Sequence, residues 1–251
     1  MRVMESGRTG PILCACTEED GAQAGEFVIK LRQRVDIGVA GLLHEFLGSR
    51  LASHFGILVP EPVGVSVEPE FAMALTERDS NLAASLQASV GLNFGSKILY
   101  PASSWPVNKS IPAAMWRDAV NIFAFDALIQ NPDRRPENPN LLTQGDNIYV
   151  YDHETSFSFL LALLAAPEPW NIEGEAYLAN HVFYKRLKSK EVDLADFEER
   201  LKALTANVLA GIREELPEEW QHPDLERIEA HLTAVHDHAE DFREQVRRRL
   251  T

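Results

Sequence analysis

The spacing of apolar residues differs from one part of the chain to the next, and each spacing predicts a strand or a helix. Short apolar segments at 11–16 and 26–31 are joined by an acidic stretch that contains Gly, which is typical of two strands with a solvated loop. Apolar residues at 39–55 recur every three or four positions, which predicts an amphipathic helix of about five turns. Extended segments are expected at 62–67 and 71–75, so the chain opens as strand, strand, helix, strand, strand.

Beyond residue 76 the spacing of apolar residues is mainly that of helices. Apolar spacing predicts helices at 110–128, at about 190–215 and at 223–249. Two short strands are expected at 140–143 and 148–152, because a Gly-containing turn separates two apolar segments there.

This order of elements predicts an α+β protein with two lobes. We expect a small β-rich lobe with one helix at residues 1–75 and a larger, mainly helical lobe at residues 76–251. The sequence shows no internal repeat and no low-complexity linker.

Composition and charge limit the kinds of partner that this protein is expected to bind. The 251 residues are 45% hydrophobic and 25% charged, which is ordinary for a soluble globular protein. The formal net charge of −14 would repel a nucleic-acid backbone or an anionic membrane. The basic run at 247–249 is short, and such a terminal run is usually solvated. We therefore expect no direct nucleic-acid binding and no membrane binding.

Neither a membrane segment nor a disulfide framework is visible in the sequence. No N-terminal signal is present, and the longest apolar run, 157–166, is about half of the roughly 20 residues that span a bilayer. We therefore expect a cytoplasmic protein. Cys14 and Cys16, the only cysteines, are two residues apart on one predicted strand, so we interpret them as small core residues rather than a metal or redox pair.

Three polar residues have a spacing that suits phosphoryl transfer. Asp133 is followed by Asn138 five residues later and by Asp152 fourteen residues beyond that. Such transfer needs a carboxylate that orients a hydroxyl, and hard oxygen ligands that hold magnesium against the phosphates of ATP. We predict that Asp133 orients and deprotonates the hydroxyl, and that Asn138 and Asp152 hold magnesium.

The loop that carries these residues resembles the catalytic loop of HipA-like kinases. Residues 131–142 match the small single-domain branch, which reads Asn-x-Asp-Arg-x-x-x-Asn-Pro-Asn-Leu-Leu, and Tyr151-Asp152-His153-Glu154 matches the metal-binding segment of the family. The loop is more loosely similar to that of phosphatidylinositol kinases, but it has Arg135 where they have His. The resemblance extends over about 7–220 and implies a kinase-like bilobal fold that uses ATP and Mg²⁺.

The resemblance also implies a lysine that binds the phosphates of ATP. Lys30 ends the segment Phe27-Val28-Ile29-Lys30, where the family has an aromatic or apolar residue, Val, any residue and Lys. Kinases hold this lysine with a carboxylate from the adjacent helix, and Glu45 lies within the apolar stripe of that helix. Alternatively, Lys30 is a solvated strand end and Glu45 a surface residue near Arg50.

The remaining contacts to ATP are less clearly marked. The Gly-bracketed segment that contains Gly7 and Gly10 has the character of the phosphate loop of the family, although a frayed N-terminus would look the same. For adenine, the best linker is the segment with Met73 and Leu75, but Met73 also suits a core position. Glu154 is either a further magnesium ligand or a support for Asp152; much of the family has Gly there.

These features favour an ATP- and magnesium-dependent kinase, and other functions stay open. The resemblance implies a Ser/Thr hydroxyl of a protein as the acceptor, a toxin–antitoxin or stress setting, and an antitoxin or regulatory protein as a partner. A small-molecule or lipid hydroxyl is an alternative acceptor. The second hypothesis is a pseudokinase or nucleotide-binding module that regulates a partner. The third is a helical interaction protein in which residues 131–140 form only a turn.

Overall fold

The computed structural model describes residues 1–4, 10–75, 79–106, 109–163 and 168–251. It is a mixed α+β protein, as predicted. The strands are β1 (Arg2–Val3), β2 (Ile12–Thr17), β3 (Gln23–Lys30), β4 (Pro62–Val67), β5 (Gly91–Lys97), β6 (Ser103–Ser104), β7 (Leu141–Gln144) and β8 (Asn147–Val150). The α-helices are α1 (Val39–His54), α2 (Pro69–Ala74), α3 (Ser80–Gln87), α4 (Trp116–Leu128), α5 (Tyr184–Leu187), α6 (Ala195–Ala203), α7 (Ala206–Glu214), α8 (Asp224–Asp237) and α9 (Ala239–Leu250).

A five-stranded antiparallel sheet forms the first part of the molecule, in the order β1-β2-β3-β5-β4. Apolar side chains on one face of β3, including Phe27 and Ile29, pack with Leu82 and Leu86 of α3. Side chains alternate along a strand, so Lys30 points to the other face, away from α3. Cys14 and Cys16 pack against this cluster as free thiols.

Helix α1 is buried on nearly every side. Its residues Leu42, Leu43, Phe46 and Leu47 belong to the main core, together with the central helix α4. A helix that is buried on nearly every side is a core helix, so the prediction of an amphipathic helix was wrong here, and α1 lies between the sheet and the helical part of the molecule. The carboxyl group of Glu45, in the middle of α1, is therefore buried as well.

The helical part is built around α4. Residues 119–128 of this helix are almost inaccessible to solvent, and α6, α8 and α9 pack around them. The strands β6, β7 and β8 form a second sheet, and the amide of Val150 in β8 donates to the carbonyl of Leu58 at 2.9 Å. The end of β8 is thereby fixed close to the segment that leaves α1.

Three predictions for the elements were wrong in detail. The segment at 71–75 is not extended, because Pro69 opens a short helix, where its fixed φ and missing N–H are tolerated. No strand was predicted between 76 and 139, where the chain was expected to be mainly helical, but residues 91–97 form β5, which lies between β3 and β4. Each of the two long helices predicted near the C-terminus is divided into two, as α6 with α7 and α8 with α9. The lobe boundary at residue 75 stays a prediction.

Within the described residues, no helix is both long enough and apolar enough to cross a membrane.

Candidate active site

Lys30 lies at the centre of a cluster of carboxylates. Its ammonium group donates to Glu45 Oε1 and, at 2.5 Å, to Asp152 Oδ1, and Glu154 Oε2 lies 3.6 Å away. The three acids come from α1 and from the segment after β8, so one strand end, one helix and one loop meet at a single cation. The structure thus brings together Lys30, Glu45 and Asp152, and adds Glu154.

Burial and the neighbouring charges shift the pKa values of the residues in this cluster. Burial would lower the pKa of Lys30, but the charges of Glu45 and Asp152 outweigh it and raise the pKa. Burial raises the pKa of Glu45 to about 7 even though Lys30 acts to lower it. For Asp152, burial acts to raise the pKa, and the charge of Lys30 overcomes it and lowers the pKa. Lys30 is therefore charged at neutral pH.

Close packing of α1 places Glu45 in the cluster. Gly48, one turn after Glu45, faces His153, and a Cβ atom at Gly48 would lie only 2.4 Å from the Cβ of His153. This approach lets Glu45 Oε2 accept a hydrogen bond from the backbone N–H of His153 at 3.1 Å. Burial lowers the pKa of His153 to about 3, so its ring is neutral.

Glu154 is held from two sides. Its Oε1 accepts a hydrogen bond from the backbone N–H of Asp36 at 2.7 Å, and its carbonyl accepts one from His44 Nδ1 at 2.9 Å. One carboxylate oxygen from each of Glu45, Asp152 and Glu154 lies within 4.8 Å of the other two. Glu154 therefore fixes the loop before α1 relative to the segment after β8.

The loop after α4 presents Asp133 and Asn138 side by side. Asp133 Oδ2 accepts from Asn138 Nδ2 at 2.8 Å and from Asn140 Nδ2 at 3.3 Å. The backbone N–H of Asp133 donates to Asn131 Oδ1 at 3.0 Å. Arg135 Nη2 donates to Asp133 Oδ1 at 2.8 Å.

A buried ion pair that was not predicted joins this loop to the site of Asp152. Arg134 Nε donates to Asp126 Oδ2 at 2.6 Å, while its Nη1 donates to the carbonyls of Asn140 at 2.7 Å and Tyr151 at 3.3 Å. His181 Nε2 contacts the same oxygen of Asp126 at 2.9 Å. These contacts bring the segment that carries Asp133 beside the segment that carries Asp152.

The sequence does contain a signal for this pair, because Asp126 is a lone acid in the apolar run of α4. Burial acts to raise its pKa, but the charge of Arg134 and the contact with His181 lower the pKa, so Asp126 is ionised.

The other residues predicted to bind ATP lie outside the cluster around Lys30. Gly7 lies outside the described residues. Gly10 has a φ of +55°, and its carbonyl accepts a hydrogen bond from Arg34 Nη1 at 2.9 Å. Leu75, at the end of α2, packs against the cluster on the face of the sheet opposite Lys30, and Met73 is 58% exposed.

A different segment links the two sheets. The chain passes from β5 in the first sheet to β6 in the second through residues 98–102, where Gln144 Nε2 donates to the carbonyl of Tyr100 at 3.1 Å. The adenine contact expected at Met73 and Leu75 therefore stays a prediction without support from the structure. Sequence reasoning missed the linker at 98–102 because it also missed β5.

Comparison with known families covers nearly the whole chain. The family model described as HipA-like kinase matches residues 1–248. The match includes every residue of the site described above. No curated protein and no solved structure matches the chain.

Proposed function

The chain belongs to the HipA-like kinase family, and we propose that it transfers the γ-phosphate of ATP, with magnesium, to a Ser or Thr hydroxyl of a protein. One observation carries the proposal. Lys30 at the end of β3 is paired with the buried Glu45 of α1 and with Asp152, beside a loop that presents Asp133. Protein kinases need this lysine–glutamate pair, a metal-binding aspartate and an aspartate that receives the proton of the hydroxyl.

Each polar group of the site has a role in this reaction. Lys30 binds the phosphates, and Glu45 holds its flexible ammonium group in place before the nucleotide arrives. Asp133, whose side chain is 24% exposed, accepts the proton of the acceptor hydroxyl. Its carboxylate is already oriented by Asn138.

The donor groups of Asn138 and Asp152 fit magnesium. Amide and carboxylate oxygens are the hard ligands that Mg²⁺ takes, and the side chain of Asp152 is 30% exposed. When bound, the ion neutralises charge on the β- and γ-phosphates. Asp152 contacts Lys30 through Oδ1 in this structure, so a bound ion would share this carboxylate with the lysine. Glu154 is a further carboxylate within reach of the same place.

We also propose that adenine binds against the backbone of residues 98–102. This segment is the connection between the sheet that carries Lys30 and the sheet that ends near Asp152. A toxin–antitoxin setting, with an antitoxin as a partner, is the context that membership of the family suggests.

Thermal unfolding with ATP, with and without Mg²⁺, tests the nucleotide proposal. A ligand at 100 times its dissociation constant adds about 2.7 kcal/mol to the free energy of unfolding, which raises the melting temperature by several degrees. We expect this rise with ATP and Mg²⁺ together and a much smaller one with ATP alone. An unmoved melting temperature would contradict both the kinase and a nucleotide-dependent pseudokinase. Binding without transfer of labelled γ-phosphate to any acceptor would favour the pseudokinase.

A further inference from the structure

One oxygen of the Asp133 carboxylate is held by the exposed side chain of Arg135. Oδ2 is bound by Asn138 and by the buried Asn140, whereas Oδ1 is bound by Arg135 Nη2 at 2.8 Å. The side chain of Arg135 is 46% exposed. A hydroxyl that bonds to Oδ1 of Asp133 must therefore displace the guanidinium group.

The backbone of Arg135 is fixed, so only its side chain is free to move away. The N–H of Arg135 donates to the carbonyl of Asn138 at 3.1 Å, and the N–H of Asn138 donates back to the carbonyl of Arg135 at 3.1 Å. Arg134, the other cation of the loop, is fully buried and bound to Asp126. Arg135 is thus the cation that this loop offers to a group arriving from solvent.

The surroundings are otherwise acidic. Asp152 and Glu154 lie in the same site, Glu137 is exposed on the loop, and the chain has a net charge of −14. Lys30, the cation of the buried cluster, is already paired with Glu45 and Asp152, so an anionic acceptor that approaches the loop from solvent would be repelled by this field except near Arg135.

We propose that Arg135 selects the acceptor, favouring a Ser or Thr hydroxyl that has an acidic group, a carboxylate or a phosphate, nearby on the same protein. The acidic group pairs with the guanidinium and draws it away from Asp133, which is then free to receive the proton of the hydroxyl. This inference rests on the proposed phosphotransfer and names its class of substrate.

The proposed transfer forms one bond to phosphorus and breaks one. The hydroxyl oxygen forms a bond to the γ-phosphorus as its proton passes to Asp133. The bond between the γ-phosphorus and the oxygen that bridges it to the β-phosphate breaks, and ADP leaves. A neutral acceptor has no acidic group to bind the guanidinium group, so Arg135 stays paired with Asp133. Because an exposed ion pair is weak, we expect the preference for acidic acceptors to be about fivefold.

A charge-swap experiment with peptides tests this role. Ser-centred peptides carry Asp, Lys or Ala at each position near the serine, and kcat/KM is measured for each. Wild type should favour Asp over Ala by about fivefold at one or more positions. Arg135→Ala should remove this preference, and Arg135→Glu should favour Lys instead. Arg213→Glu makes the same change of charge at a 48% exposed position on α7 and should keep the wild-type preference.

Two outcomes would overturn the selection role of Arg135. One is the same peptide preference in wild type and in Arg135→Glu.

The other concerns ATP hydrolysis, in which water is the acceptor and brings no anion. Here Arg135→Ala should be faster than wild type because Asp133 is uncovered, and an equal or slower rate would contradict the covering contact. If every variant binds ATP and Mg²⁺ but none turns over ATP, the proposed phosphotransfer itself fails, and the selection role with it.

Discussion

Asp133 and Asp152 lie in neighbouring segments but have different proposed roles, and amide variants separate them. Asp133→Asn should keep the affinity for ATP and lose about 10²- to 10⁴-fold in phosphoryl transfer, because the base acts only on the acceptor. Asp152→Asn should weaken both, since it replaces a charged ligand of the metal by a neutral one. Calorimetric titration with ATP and Mg²⁺ gives the affinity, and labelled γ-phosphate gives the transfer.

The comparison depends on folded variants and on an active wild type. Circular dichroism checks the fold of each variant before its kinetics are measured. Transfer by Asp133→Asn at the wild-type rate, to every acceptor that wild type uses, would show that Asp133 is not the base. Unchanged magnesium-dependent binding of ATP by Asp152→Asn would remove Asp152 from the metal site.

The proposed role of Lys30 and Glu45 predicts that stability and nucleotide binding change separately in variants of this pair. Lys30→Met removes the charge that lowers the pKa of the buried Glu45, so this pKa rises above about 7 and Glu45 takes up a proton near neutral pH. The lost ion pair and this proton uptake destabilise the folded chain, and we expect the free energy of unfolding to fall by about 3 kcal/mol. Adding Glu45→Gln places a side chain there that is neutral without a proton, and it should restore most of this stability. ATP affinity should stay low in both variants, because neither has the ammonium group that binds phosphate.

Urea unfolding and ATP titration of the single and double variants check this pair. If Glu45→Gln does not recover stability, the loss in Lys30→Met has another origin than the buried carboxyl group of Glu45. If the double variant binds ATP as wild type does, Lys30 has no part in binding the phosphates.

The sequence predicted the polar residues of the site better than the contacts that hold them. Lys30 and Glu45 are marked by their places at the end of an apolar strand and within the apolar stripe of α1. Asp126 is marked only as a lone acid in the apolar run of α4, and the sequence does not indicate its partners, because His181 is 55 residues away from Asp126 in the chain. Contacts of that kind depend on the tertiary fold and leave no period in the sequence.

At the scale of elements, the position of α1 depends on Gly48. In Gly48→Ala the new methyl group would overlap His153, so α1 must move away from the segment that carries Asp152. We expect a loss of about 1–3 kcal/mol in the free energy of unfolding, as for other overpacked sites, and a weaker affinity for ATP because the Lys30–Glu45 contact is displaced. Urea unfolding and ATP titration measure the two effects.

A matched control for this helix is Gly211→Ala. Gly211 lies in α7, and nothing is within 4 Å of the position of a Cβ there. The substitution should raise the free energy of unfolding by about 0.4–1 kcal/mol, because alanine has fewer conformations to lose on folding than glycine. A stabilised or unchanged Gly48→Ala variant would contradict the close approach of α1.

The elements that the sequence predicted are those with a clear period or turn. Apolar residues recur through α1 at helical spacing, and a Gly-containing turn marks the hairpin β7–β8. By contrast, β5 has few apolar residues and gains its strand structure from pairing with β3 on one side and β4 on the other. Helix α2 has only six residues, too few to show a period.

At the scale of the whole molecule, one continuous core runs through α1 and the helical part. The same buried cluster includes Leu43 of α1, Phe123 of α4 and Phe242 of α9. Because Glu45 is on α1 and Asp133 follows α4, the packing of these two helices fixes the distance between the lysine cluster and the loop that carries Asp133. The site therefore depends on the core of the helical part as well as on the sheet.

Buried histidines link the stability of this core to pH. Burial lowers the pKa of His44, His153, His181 and His231, so all four are held neutral when the chain is folded. On unfolding, each returns toward the ordinary value of about 6.5 and binds a proton in mild acid. A folded pKa below the unfolded one means that stability is complete above about pH 6.5 and is lost as the pH falls toward the folded value. Glu45 acts in the opposite sense, because its folded pKa of about 7 favours the folded state as the pH falls below 7.

His231 allows the histidine effect to be measured separately from that of Glu45. Its pKa is lowered to about 4 by burial, its Nε2 is hydrogen-bonded to the carbonyl of Leu128 at 2.9 Å, and its ring stacks on Phe159. His231→Asn cannot take up a proton, so between pH 7 and pH 5 wild type should lose about 2 kcal/mol more in the free energy of unfolding than the variant does. The other titrating groups, Glu45 included, are common to both proteins and cancel in this difference. Urea unfolding of both proteins at the two pH values gives the difference directly, and equal losses in wild type and variant would show that the His231 ring is protonated as readily in the folded chain as in the unfolded one.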